Sequence, residues 1–102
     1  MTNWKHLDNL IEYPKDGILS KTVMKNDKVD VSLFCLAKKT EISEHTSTKQ
    51  GIIHVIEGNG VFNLEGEDIV MKPNTFIFMK ENAVHSLKSE DNLTFVLTLY
   101  EN

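Results

Sequence analysis

From Val29 to the C-terminus the chain repeats with a period of two. Val29, Val31, Leu33 and Cys35 alternate with Asp30, Ser32, Phe34 and Leu36. Ile52–Ile56, Val61–Leu64, Ile69–Met71, Phe76–Met79, Val84–Leu87 and Leu93–Tyr100 are further short apolar runs, and in the last of these Leu93, Phe95, Leu97 and Leu99 share a face. Period two is the signature of a pleated strand, because successive side chains leave a strand on opposite sides. Glu57-Gly58-Asn59-Gly60, Glu65-Gly66-Glu67 and Lys72-Pro73-Asn74-Thr75 punctuate the runs. Glycine and asparagine accept the positive φ that tight hairpins require. Short strands with turn signals every several residues predict an all-β sandwich or closed barrel.

Several strands are apolar on both faces. Ile52, His54 and Ile56 oppose Ile53 and Val55. One face fills a core; the other needs a second sheet, the N-terminal arm or a partner subunit. Over residues 3–13, Trp4, Leu7, Leu10 and Ile11 follow helical spacing, which predicts a short amphipathic helix or arm ended by Pro14. The expected organisation is one domain: residues 1–25 as arm and first strand, residues 26–102 as the barrel. A chain of 102 residues buries only about two thirds of its unfolded surface, so a homodimer is expected.

The formal net charge is −4, and all eleven basic residues are lysines. Without arginine the chain lacks the planar fork that recognises phosphate, and no basic stripe marks it for nucleic acid. No apolar run approaches the length of a membrane span. The first residues do not read as a basic-then-apolar leader, so the expected location is cytoplasmic. The lone Cys35 lies in an apolar run and reads as a small core residue.

Two spacing patterns resemble those of the cupin superfamily, over about residues 30–100. The first family motif runs Gly, five residues, His, one residue, His, three or four residues, an acid, six residues and Gly. Anchored on Gly58, it places Gly51 at the acid position, Ser47 and His45 at the two histidines, and Lys39 at the opening glycine. The second motif places Asn74 and Asn82 at its glycines, Lys80 at its proline and His85 at its histidine. The resemblance implies a cupin-type antiparallel β-barrel, a double-stranded β-helix or jelly roll, preceded by a short N-terminal helix or arm.

In the family, three His and one Glu, or a Gln in its place, hold a divalent metal. By that resemblance His45 and His85 are the retained ligands, and Ser47 and Gly51 stand where two ligands are missing. Gln50 and His54 are candidate replacements, although strand parity turns His54 outward with Ile52 and Ile56. By the same parity Glu44 turns away from His45. One divalent ion (Fe, Mn, Ni or Zn) and no ion at all are equal expectations. The expected pocket comprises His45, Ser47, Gly51, Ile53, Val55, His85 and Leu87.

Three functions follow from this reading. The first is small-molecule binding, with two imidazoles as polar anchors in an apolar pocket. The second is a metal-dependent dioxygenase, isomerase or decarboxylase. The third is a metal-free structural or regulatory dimer.

Overall fold

The computed structural model describes residues 3–101; residues 1, 2 and 102 lie outside it, as do the first two positions of the arm and leader readings. Nine strands form two antiparallel sheets. In chain order they are β1 (Ile18–Lys25), β2 (Val29–Leu36), β3 (Glu41–His45), β4 (Gln50–Glu57), β5 (Gly60–Leu64), β6 (Glu67–Met71), β7 (Phe76–Met79), β8 (His85–Ser89) and β9 (Leu93–Tyr100). The larger sheet has the order β1-β2-β9-β4-β7, the smaller β3-β8-β5-β6. The all-β double-sheet architecture predicted from the repeat is the one observed.

Of the two forms expected at the N-terminus, helix or arm, the chain takes the arm. Residues 3–13 carry a single 3-10 turn, Leu7–Leu10, with no buried residue. His6 stands at its N-cap and makes no side-chain capping bond. A piece this short has no capping to offset the entropy of nucleation. The segment instead lies on the larger sheet as an arm. Lys5 Nζ donates to the Val23 carbonyl, Lys21 pairs with Glu12 at 2.8 Å, and Tyr13 Oη donates to Glu57 Oε2 at 2.6 Å. Because that carboxylate takes the phenol proton, Thr94 Oγ1, 2.7 Å away, donates to Tyr13 Oη. Tyr13 is pushed up to about 12 by burial, then by the Glu57 hydrogen bond, against the Thr94 bond.

The strand β3 carries mostly polar residues (Glu41-Ile42-Ser43-Glu44-His45), and its apolar period is too weak to mark it as a strand. It forms because β8 offers it a partner along its length, from Glu41↔Lys88 to His45↔His85.

Register sets the core. Across the inner face of the larger sheet, Phe34, Phe95 and Val55 stand in one row; Leu97, Ile53 and Ile77 stand in the next; and Leu99, Gly51 and Met79 follow. The smaller sheet opposes these with Leu87 and Phe62, flanked by Ile42 and Ile69. Phe62, Leu36, Val55, Met71 and Leu93 are fully buried. Each such side chain contributes roughly 1.5–3 kcal/mol of transfer free energy. The Phe34 and Phe95 rings stack at 5.2 Å and 8°.

The turns follow the sequence in a less obvious way. Lys39, Asn74 and Asn82 all sit in the left-handed region, at φ 62°, 71° and 64°. These are three of the four positions where the spacing patterns expect glycine; the fourth is Gly58 itself, at φ 89°. The backbone path is therefore kept although the residue is not. Asparagine tolerates this region better than most side chains, whereas lysine is strained there.

Candidate functional site

The candidate site begins with a bulge. β3 pairs with β8 through Glu41↔Lys88, Ile42↔Leu87 and His45↔His85, with a register shift between Ile42 and His45. Ser43 and Glu44 together stand opposite Ser86. In an unbroken strand, residues 42 and 45 would point to opposite faces. The extra residue reverses the parity, so Ile42 and His45 both face inward, opposite Leu87 and His85. The imidazole centroids are 4.1 Å apart and the rings are inclined at 64°. On its other flank His85 is paired with Leu64, and its ring lies over Phe62 at 5.8 Å and 14°.

Both imidazoles are held the same way. His45 Nδ1 lies 2.8 Å from the Ser43 carbonyl and His85 Nδ1 2.9 Å from the Ala83 carbonyl. A carbonyl oxygen only accepts, so both Nδ1 atoms carry the proton and both neutral rings keep the lone pair on Nε2. His85 is buried while His45 is exposed. Burial holds the His85 pKa below the ordinary imidazole value, and a charge on His45 lowers it further; the Ala83 bond opposes both. His85 is thereby kept as a hydrogen-bond acceptor.

The remaining expected site residues are placed differently. Gly51 is buried on the inner face, and its missing side chain is replaced by hydrophobic neighbours. A Cβ there would lie 2.8 Å from Met79 Cε and 3.2 Å from Leu99 Cδ2. The acid position is thus filled by a thioether methyl and a leucine. Ser47 Oγ accepts from the Lys49 amide at 3.1 Å, and the Ser47 carbonyl accepts from the Asn82 amide at 2.7 Å. Its hydroxyl shapes the β3–β4 loop, and its carbonyl joins that loop to the one before β8. Ile53, Val55 and Leu87, expected to line a pocket, belong to the packed core cluster.

Of the candidate replacement ligands, His54 is exposed on the outer face, between Val96 and Phe76. Gln50 pairs with Tyr100 in unbroken register with Gly51, so it shares the outward parity of His54 and does not enter the site. Neither supplements the two histidines. Sequence reading missed Met79, Leu64 and Phe62 as neighbours of this centre. The alternation marked their strands, but nothing local specifies which residue of β5 lies beside His85.

The donor chemistry does not fit a resident metal. Two imidazole nitrogens are offered, the acid position is apolar, and the second histidine position is a serine engaged with its own loop. Among the described residues no group of three or more His, Cys, Asp or Glu is placed to hold an ion. Two concavities lie nearby. One, about 870 Å3, covers the outer face of the smaller sheet, with Glu41, Glu44, Asp68 and Lys88 in its lining. The other, about 400 Å3, is lined by Leu64, Phe78 and Ala83 with Glu65, Glu67, Lys80 and Glu81. Neither is lined by the imidazoles, but the second shares Leu64 and Ala83 with the immediate surroundings of His85.

A family model for the cupin domain matches residues 32–99, about two thirds of the chain. The chain belongs to the cupin family. Solved cupin folds superpose closely at low identity. A conserved protein of unknown function from Streptococcus pyogenes matches with a TM-score of 0.88 at 19% identity, covering 100% of this chain and 90% of the other. A cupin superfamily protein from Desulfitobacterium hafniense gives 0.87 at 20%, covering 94% and 88%. An RmlC-like cupin from Shewanella frigidimarina gives 0.80 at 16%, covering 84% and 78%. At these identities the likeness is one of fold. No curated protein matches the chain. Among the described residues no helix is long and apolar enough to cross a membrane. In this cupin, then, the fold and its turn geometry are retained while two of the four family ligand positions carry no ligand.

Proposed function

We propose that this cupin binds a small organic molecule at the mouth of its barrel, with His45 and His85 as the polar anchors. One observation carries the reading: two imidazoles 4.1 Å apart, each with Nδ1 tied to a backbone carbonyl, bordering an otherwise apolar interior. With neither Nε2 atom bonded among the described residues, the pair accepts hydrogen bonds when neutral. The favoured ligand therefore donates one or two hydroxyl protons and carries an apolar body. A phenol meets both needs. Leu64, beside His85 on β5, supplies apolar contact, and the adjoining 400 Å3 concavity is of the size that small ligands occupy.

The donor set argues against a metal-dependent dioxygenase, isomerase or decarboxylase, since an apolar Gly51–Met79 contact stands where the family places a carboxylate. A cytoplasmic location is part of the proposal; Cys35 is free and buried, as suits a reducing compartment.

The test is a thermal-shift screen against phenols, sugars and small organic acids, repeated on His45→Ala and His85→Ala. A ligand that binds only the native state raises the melting temperature. Phenols are expected to raise it in the native protein and in neither variant. Equal shifts in the His45→Ala variant, or no shift in the native protein, would overturn the proposal. Metal analysis of untagged protein is expected to find sub-stoichiometric iron, manganese, nickel and zinc.

A further inference from the structure

The carbonyl that holds His85 does not lie in a strand. His45 Nδ1 bonds to Ser43 within β3 itself, but the acceptor for His85 Nδ1, at 2.9 Å, is Ala83, in the loop that precedes β8. That carbonyl fixes the tautomer of His85 only while the loop keeps it in place. Contacts flank it on both sides. The Asn82 amide donates to the Ser47 carbonyl at 2.7 Å. Beyond Ala83, Glu65 holds Val84 twice: its backbone amide donates to the Val84 carbonyl at 2.9 Å, and its Oε2 accepts from the Val84 amide at 3.1 Å.

The second of these bonds replaces a backbone one. Leu64 and His85 are paired across β5 and β8, so Glu65 and Val84 form the next rung. In a hydrogen-bonded antiparallel rung each residue's amide donates to the other's carbonyl. Here the Glu65 side chain takes the place of the Glu65 carbonyl. The turn is the reason. Leu64 pairs with Glu67, which leaves Glu65 and Gly66 as a two-residue loop at φ 50° and 88°. Positive φ at both positions favours Asn, Asp or Gly at the first, and a glutamate is strained there. Asparagine is one methylene shorter, so the side chain that best suits the turn is not the one that reaches Val84.

We infer that Glu65 is a positioning residue for His85: its carboxylate, acting through Val84, holds the Ala83 carbonyl against Nδ1 and so keeps Nε2 a hydrogen-bond acceptor. Without that bond the Ala83 carbonyl is free to turn away. Nδ1 then releases its proton to water, Nε2 takes one up, and the ring presents a donor where it presented an acceptor. The consequence for ligand choice rests on the proposed function above: with Glu65 in place the site receives hydroxyl donors, and without it that preference is lost.

The experiment is nitrogen NMR of the imidazole rings in the full chain, at a pH above the ordinary imidazole range near 6.5. The His85 signals are identified by their loss in His85→Gln. Glu65→Gln keeps an oxygen acceptor of the same reach, Glu65→Asn shortens it while relieving the turn, and Glu65→Ala removes it. The native chain and Glu65→Gln are expected to show His85 protonated at Nδ1 alone. Glu65→Asn and Glu65→Ala are expected to show the Nε2–H form in exchange with it, and to lose the phenol-induced rise in melting temperature. The ligand-free melting temperature of Glu65→Asn is expected close to the native value, because relief of the turn offsets the lost bond. A native His85 signature in Glu65→Asn would make Glu65 a turn residue only and overturn the inference. So would a native His85 protonated at Nε2, or a Glu65→Gln variant that behaves like Glu65→Ala. If Glu65→Ala fails to fold, Glu65→Asn carries the comparison. If the ring signals follow the expected pattern but no phenol shifts the native protein, the positioning role stands and only the ligand reading falls.

Discussion

His45 and His85 are directly opposed on β3 and β8 only because β3 spends one residue more than β8 between that pair and Ile42↔Leu87. The bulge is what brings two imidazoles to 4.1 Å. Without it one of Ile42 and His45 would have to leave the interior.

The burial of His85 makes stability depend on pH. The pKa of His85 is lower in the folded chain than its ordinary value, chiefly through burial and secondarily through a charge on His45. The unfolded chain therefore takes up the proton first as pH falls. The stabilisation from a neutral His85 is present above the ordinary imidazole range near 6.5 and is lost as pH falls through the lowered folded value. Urea midpoints are expected to drop between pH 7.5 and pH 5, and His85→Gln to flatten that slope. An unchanged slope in the variant would assign the loss to other groups.

Two glycines with the same backbone angle should respond differently to alanine. Gly58 (φ 89°) has no room: a Cβ would lie 1.9 Å from the Asn92 carbonyl oxygen. Gly66 (φ 88°) has nothing within 4 Å. Gly66→Ala should cost only the left-handed penalty of about 1–2 kcal/mol. Gly58→Ala should cost about 4 kcal/mol or more, the range of severe core and backbone lesions. Chemical denaturation of both variants checks the difference.

Lys39 is the converse case, a long side chain held at φ 62°. Lys39→Gly removes strain of about 1–2 kcal/mol and adds back about 0.5–1 kcal/mol of unfolded-state entropy. The Lys39–Glu90 ion pair lost with it is exposed and contributes little. A net gain of up to about 1 kcal/mol is expected, which would raise the melting temperature by several degrees.

Tyr13 anchors the N-terminal arm. Tyr13→Phe deletes two side-chain hydrogen bonds, one to exposed Glu57 and one to buried Thr94. The expected cost is about 1–2 kcal/mol, most of it from Thr94, since Glu57 returns to water. In the native protein one tyrosine is expected to titrate spectrophotometrically near 12, where burial has pushed Tyr13. That titration should vanish in the variant.

How far the sequence could be read depends on the range over which each feature is decided. Alternation within a strand is local, since it follows from the pleat. The strands through Ile52–Ile56, Phe76–Met79 and Leu93–Tyr100 were therefore legible, as was the outward turn of His54. The hairpin glycine was legible because positive φ is a property of one residue. The N-terminal segment read as a helix or an arm, because its apolar spacing fits a helix but spacing cannot supply the cap missing at His6. β3 was invisible because its composition is polar, and its strand conformation comes from β8.

By itself, then, the chain determined where most strands run, where they turn, and that several of them are apolar on both faces. Only the tertiary structure decided that His45 lies against His85 and that Met79 stands in for the side chain Gly51 lacks. Both are matters of register between segments distant in sequence. A shift of one residue reverses which face every side chain occupies, and no local pattern records that a bulge at Ser43 and Glu44 introduces such a shift.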